Sequence, residues 1–115
     1  MISTLGAFGG DAETVDNLRR LRSAGATVIY GTDLGNTRTA AIDPRELELL
    51  VAAGLDGEAI LRAATADPAA LWGFDGLGSI AVGQDASLLV LTADPRLDPL
   101  ALAAPERVFI QGSAR

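Results

Sequence analysis

The chain predicts an α/β fold built on parallel strands, and three observations carry that expectation. A short apolar stretch, an amphipathic helix and a β-branched strand follow one another at the start, which is the order of a βαβ unit. Helices opened by aspartate and closed by glycine fill the middle. A second apolar run, 86–91, and a last strand, 107–110, lie near the end.

Ile2 to Phe8 is short, apolar and flanked by glycine, and reads as a strand remnant running into the loop Gly9-Gly10. Asp11 reads as the N-cap of a helix carrying Val15, Leu18 and Leu21 on one side, with Glu13, Asp16, Arg19, Arg20 and Arg22 elsewhere. Those charges predict a solvated face with local ion pairs, and Gly25 a C-terminal cap. The strand Thr27–Tyr30 follows and stops at Gly31. A polar loop is expected from Leu34 to Ile42. Asp43-Pro44-Arg45-Glu46 then has the pattern of a helix start, with Asp43 as cap, Pro44 in the first turn and Glu46 completing a capping box. Leu47, Leu50 and Val51 supply its apolar stripe, and Gly54 ends it. Asp56 opens a helix with Ile60, Leu61 and Ala64 inward, and Asp67-Pro68 opens a short third one with Leu71 and Trp72. After Gly73 the texture turns to glycine and aspartate, with a short strand piece expected at Ser79-Ile80. The run from Ala86 to Leu91 is apolar almost throughout, which predicts a strand covered on both faces. A soft boundary near residue 75 divides an α/β part, 1–74, from a β-rich part, 75–115.

Composition narrows the function classes. The chain has 115 residues, 49% of them apolar, enough for one core. Its nine basic residues are all arginine and scattered, and the net charge is −6. That balance argues against a nucleic-acid partner and against an anionic membrane surface. Absence of cysteine removes disulfides and thiolate metal sites. Absence of histidine removes the commonest metal ligand and general base, and with it any Ser-His-Asp arrangement. The start, Met1-Ile2-Ser3-Thr4, has no signal-peptide pattern, so the cytoplasm is the expected compartment.

Asp33 is the carboxylate best placed for chemistry. It follows a buried strand by three residues, where barrels of alternating strands and helices carry their working groups. A carboxylate there can bind a divalent metal or take a proton from water; an Asp at that place is often only a turn residue. Thr32 could support it. Gly31-Thr32-Asp33-Leu34-Gly35 lacks the lysine and spacing of a phosphate loop. Glu46 could reach the same place or serve only its helix start. Trp72 and Phe74 read as core side chains, and Asp75 and Asp85 as turn residues.

The order of these pieces resembles the C-terminal stretch of the metal-dependent amidohydrolase superfamily, in its imidazolonepropionase-like and prolidase-like branch. The counterparts are Asn17-Leu18-Arg19-Arg20-Leu21, Ala24-Gly25-Ala26-Thr27-Val28, Gly31-Thr32-Asp33 and Arg45-Glu46-Leu47. They continue through Ala52-Ala53-Gly54-Leu55, Ala63-Ala64-Thr65-Ala66-Asp67-Pro68-Ala69, Gly78-Ser79-Ile80-Ala81-Val82-Gly83 and the ending Asp94-Pro95 to Gly112. The resemblance implies the last one or two strands and helices of a (β/α)8 barrel, followed by a small segment of a flanking β-sandwich. It implies hydrolysis of carbon–nitrogen bonds other than peptide bonds, or sometimes of dipeptides, with zinc or a similar divalent metal and a small-molecule substrate. By carry-over, Asp33 contacts the metal and shuttles a proton from the attacking water.

The departures are equally specific. The family draws most metal ligands from histidines, and often a lysine, and this chain has neither. Its usual Ala-Asp-Leu is here Ala86-Ser87-Leu88, which puts one structural hydrogen bond in doubt. Two strands cannot close a barrel, and open edges invite association. The expectations are therefore a piece of a longer hydrolase, inactive and without tightly bound metal on its own, or a non-catalytic α/β module. Such a module would self-associate, as a homo-oligomer, or complete a partner through an open sheet edge.

Overall fold

The computed structural model describes residues 1–36 and 41–115, so residues 37–40 of the predicted loop lie outside the described residues. The element order is β1 (Ile2–Ser3), a 3-10 turn (Gly6–Phe8), α1 (Ala12–Ser23), β2 (Ile29–Tyr30), α2 (Pro44–Ala52), α3 (Gly57–Ala64) and α4 (Ala66–Trp72). Then follow β3 (Leu88–Val90), a second 3-10 turn (Pro99–Ala103), β4 (Arg107–Ile110) and β5 (Ser113–Ala114). The strands form two sheets, β1-β2 and β3-β4-β5. β1 and β2 run parallel, with Ile2 opposite Ile29 and Ser3 opposite Tyr30, as the strand–helix–strand order predicts. The other sheet is antiparallel throughout.

Local chemistry explains the helix ends. The carboxylates of Asp11 and Asp56 accept from the backbone N–H of Thr14 and Ala59, both at 2.8 Å. At the far ends of α1 and α2, Gly25 and Gly54 take left-handed φ values of 92° and 89°. That lets Ala26 N–H reach the Leu21 carbonyl and Leu55 N–H the Leu50 carbonyl, both at 3.0 Å, closing each helix in a Schellman turn. α4 starts two residues earlier than a helix capped by Asp67 with Pro68 in first position. Asp67 lies inside its first turn, paired with Arg62 at 2.8 Å.

One apolar cluster holds the elements together: Leu5, Val15, Leu18 and Val28 pack with Leu47, Leu50, Leu55 and Ile60. Leu102, on the second 3-10 turn, joins it. The stripe of α2 is rotated relative to expectation. Leu49 is buried while Val51 is 48% exposed, and Leu21 of α1 also faces outward.

The C-terminal region departs further from expectation. Ser79-Ile80 forms no strand. β3 is shorter than the apolar run that predicts it, and its faces are not covered: Leu89 is exposed, with Leu88 and Val90 half-buried. Trp72 and Phe74, expected in the core, are 49% and 54% exposed. The exposed side chains among these share a surrounding. Trp72, Phe74, Ile80, Leu88 and Leu89 border an apolar groove of ≈ 750 Å³ between α3, α4 and β3, lined also by Leu61, Leu77 and Leu91, which nothing among the described residues fills. The turn Gln111-Gly112, with φ values of 50° and 79°, folds the chain back into β5, a return strand the sequence reading missed. Ser87 keeps a structural hydrogen bond here, its hydroxyl oxygen accepting from Gln111 N–H at 3.1 Å.

Candidate functional site

The parallel register brings the C-terminal ends of β1 and β2 to one rim. Gly31 is the first residue past β2 on that rim. A Cβ there would lie 2.6 Å from Cγ2 of Ile2 and 2.9 Å from the backbone oxygen of Ser3, so only glycine lets the strand ends approach so closely.

Asp33 sits two residues further on, half-buried. It holds φ at 49°, in the left-handed region that aspartate tolerates and most side chains avoid. Its carbonyl accepts from Asn36 N–H at 3.0 Å, closing a tight turn, and its Oδ2 accepts from the Asn36 side-chain amide at 3.0 Å. The turn chemistry is therefore present, and the carboxylate is held at a strand end. Among the described residues the partner of that carboxylate is Asn36, not Thr32.

Glu46 is where the sequence reading needs correction. It is not a capping-box residue. The backbone N–H of Asp43, which such a box would satisfy, donates instead to the Tyr30 hydroxyl at 2.7 Å. Asp43 still caps the helix, accepting from Arg45 N–H at 2.9 Å. Glu46 is thereby released to face β1. Its carboxylate accepts the hydroxyl of Ser3 and, at 2.7 Å, the N–H of Gly6. Ser3 and Glu46 are 1% and 2% exposed. The available signal was helical phase: Glu46 shares a face with Leu49 and Leu50, three and four residues on, and a carboxylate on an apolar face needs partners.

Burial pushes the Tyr30 hydroxyl up from its ordinary value, and the negative charges of Asp43 and Glu46 act in the same direction, against the Asp43 N–H bond that lowers it. Tyr30 is thus a neutral phenol wedged between β2 and the first turn of α2.

Chemically, the rim offers a partly exposed carboxylate able to accept a proton or supply one metal ligand. Among the described residues no group of three or more aspartates, glutamates, histidines or cysteines is placed to hold a metal ion. The donor set therefore does not fit a complete metal site. Glu46 lies in the first turn of α2 and Asp33 in the loop after β2, and the Glu46 carboxylate is taken up by Ser3 and Gly6. The apolar groove has neither Asp33 nor Glu46 in its lining.

A protein-family model, the amidohydrolase family, matches residues 12–114. Among solved structures, an Xaa-Pro dipeptidase with methionine bound in its active site is similar over 89% of this chain, at 27% identity and a TM-score of 0.78. An amidohydrolase is similar in fold over 89% of the chain, at 24% identity and a TM-score of 0.75. The chain spans 25% of the length of each of these two structures. A search of curated proteins finds no match.

Proposed function

Because the chain belongs to the amidohydrolase family, we propose that it is the C-terminal segment of a longer metal-dependent hydrolase, with Asp33 as its acid–base residue. The enzyme would act on a small-molecule substrate at a carbon–nitrogen bond, in the imidazolonepropionase-like and prolidase-like branch. Likeness to an Xaa-Pro dipeptidase supports that branch. The observation that carries the reading is the position of Asp33: a half-buried carboxylate in a left-handed turn, just past a parallel strand whose neighbour ends at the same level. A carboxylate so placed can contact a zinc-class ion and move a proton at its own oxygen. The remaining ligands would come from the part of the enzyme outside this chain. Residues 1–74 would be the end of the barrel and residues 75–115 a segment of the flanking sandwich, with the groove beside β3 as the seat of further strands.

Two measurements test this. Elemental analysis after equilibration with zinc and gel filtration should find far less than one zinc per chain, because one carboxylate is short of a four-ligand site. Near-stoichiometric, tightly held zinc would overturn the fragment reading. In an extended polypeptide that includes the upstream strand–helix units, Asp33→Asn should abolish hydrolysis while leaving metal content largely intact; full activity in that variant would remove Asp33 from the mechanism.

A second reading, a non-catalytic module that self-associates or completes a partner, is favoured by the open edges. Among the described residues β1 and β2 pair only with each other. Light scattering separates the two: a monomer at all concentrations argues against it.

A further inference from the structure

The two residues that face each other across the β1–β2 ladder, Ser3 and Tyr30, both bond to the first turn of α2. Ser3 does so through the carboxylate of Glu46, and Tyr30 through the N–H of Asp43. One turn of helix therefore ties both strands at a single level, three residues before Asp33. Glu46 adds a second tie beyond β1, to the N–H of Gly6 at 2.7 Å. A Cβ at Gly6 would lie 3.4 Å from Glu46 Oε2, so the backbone passes against the carboxylate at this point.

We propose that Glu46 is a positioning residue: by holding Ser3 and Gly6 it fixes residues 3–6 against α2, and through the Ser3–Tyr30 pairing it sets where Gly31-Thr32-Asp33 lies. It touches neither substrate nor metal and acts only through the strands. What it positions is catalytic only on the reading of Asp33 given above, but the positioning itself is measurable without any activity.

The same bonds explain why a glutamate occupies an apolar face. Ser3 and Glu46 are 43 residues apart in sequence, and removing the carboxylate would leave a buried hydroxyl and a part-buried N–H without their acceptor, which is costly. Glutamine is the informative replacement. Its side-chain oxygen can accept from Gly6 N–H while its amide donates to the Ser3 hydroxyl oxygen, so the geometry survives without the charge.

The test is NMR on the labelled chain. A through-hydrogen-bond scalar coupling should connect the Gly6 amide nitrogen to the Glu46 side-chain carbonyl carbon. In Glu46→Ala, amide exchange at residues 3–6 should accelerate about tenfold or more, given the strength of bonds to charged acceptors. The amide resonances of residues 31–33 should move with them, while those of α4 stay in place. Glu46→Gln should restore both. Should Glu46→Ala fail to fold, Ser3→Ala and Glu46→Gln carry the comparison: the first displaces the 31–33 resonances, the second does not. Absence of the coupling, resonances of 31–33 unmoved when 3–6 is released, or no rescue by glutamine would each overturn the proposal. Failure of the catalytic reading would appear instead as activity surviving Asp33→Asn, with these NMR results unchanged.

Discussion

Gly31→Ala is the substitution on which the rim geometry makes its sharpest demand. The new methyl group would meet Cγ2 of Ile2 at 2.6 Å and the backbone oxygen of Ser3 at 2.9 Å. Ile2 is 55% exposed and its side chain can turn away. The Ser3 oxygen cannot, since it belongs to the backbone of a paired strand. Gly31 is not among the residues with positive φ, so alanine meets no backbone penalty there. Loss of unfolded-state freedom would then favour the variant by about 0.4–1 kcal/mol. Against that stands an overpacking cost of about 1–3 kcal/mol. The net expectation is a loss of about 1–2 kcal/mol, or a midpoint lowered by roughly 5–10 °C in a domain of this size. Urea and thermal unfolding followed by far-ultraviolet circular dichroism measure it. Amide exchange identifies its origin: the Ile29 N–H, bonded to the Met1 carbonyl at 2.8 Å, should exchange faster. Gly25→Ala is the control. It has φ of 92° and nothing within 4 Å of its Cβ position, so it reports left-handed strain alone and leaves Ile29 unchanged. A Gly31→Ala protein as stable as the parent, with Ile29 protection intact, would refute the claim that the strand ends require glycine.

Two further outcomes follow from named contacts. Because Asp33 holds φ at 49°, Asp33→Gly should keep stability within about 1 kcal/mol, whereas Asp33→Val should lose about 1–2 kcal/mol, the cost of forcing a branched side chain left-handed; paired denaturation curves compare them. Asp94 is held down to about 2 from 3.8 by the Arg96 side chain and N–H. A lowered carboxylate contributes stability above its unfolded value and loses it as pH falls, here between 3.8 and about 2. Side-chain carbon shifts should give that low midpoint, and Arg96→Ala should raise it toward the ordinary carboxylate range but not all the way, because the N–H of residue 96 still donates to Asp94.

Much of this architecture is legible residue by residue. Asp11, Asp43 and Asp56 announce helix starts because a cap bonds to N–H groups only two or three positions along. Gly25 and Gly54 announce helix ends for the same local reason. The parallel pairing of β1 with β2 follows from a helix lying between two short strands. Asp33 could be singled out because a strand that stops at glycine places the next acidic residue on the rim. The burial of Leu18, Leu47, Leu50 and Ile60 belongs with these. Exposure near the groove was not legible. Trp72, Phe74 and Leu89 have the side chains of core residues, and whether such a face is covered depends on what packs there, which no local pattern encodes.

By itself, then, the sequence determined the opening strand–helix–strand order, the N-caps of α1, α2 and α3 and the candidate acid, since each depends on atoms a few residues apart. Only the tertiary structure decided what Glu46 binds. A capping box and a tie to β1 use the same carboxylate, and the choice turned on the Tyr30 hydroxyl arriving from 13 residues away to take the N–H of Asp43. That choice is made by long-range packing, where the competing bonds differ by less than the burial energy of the core that brings them together.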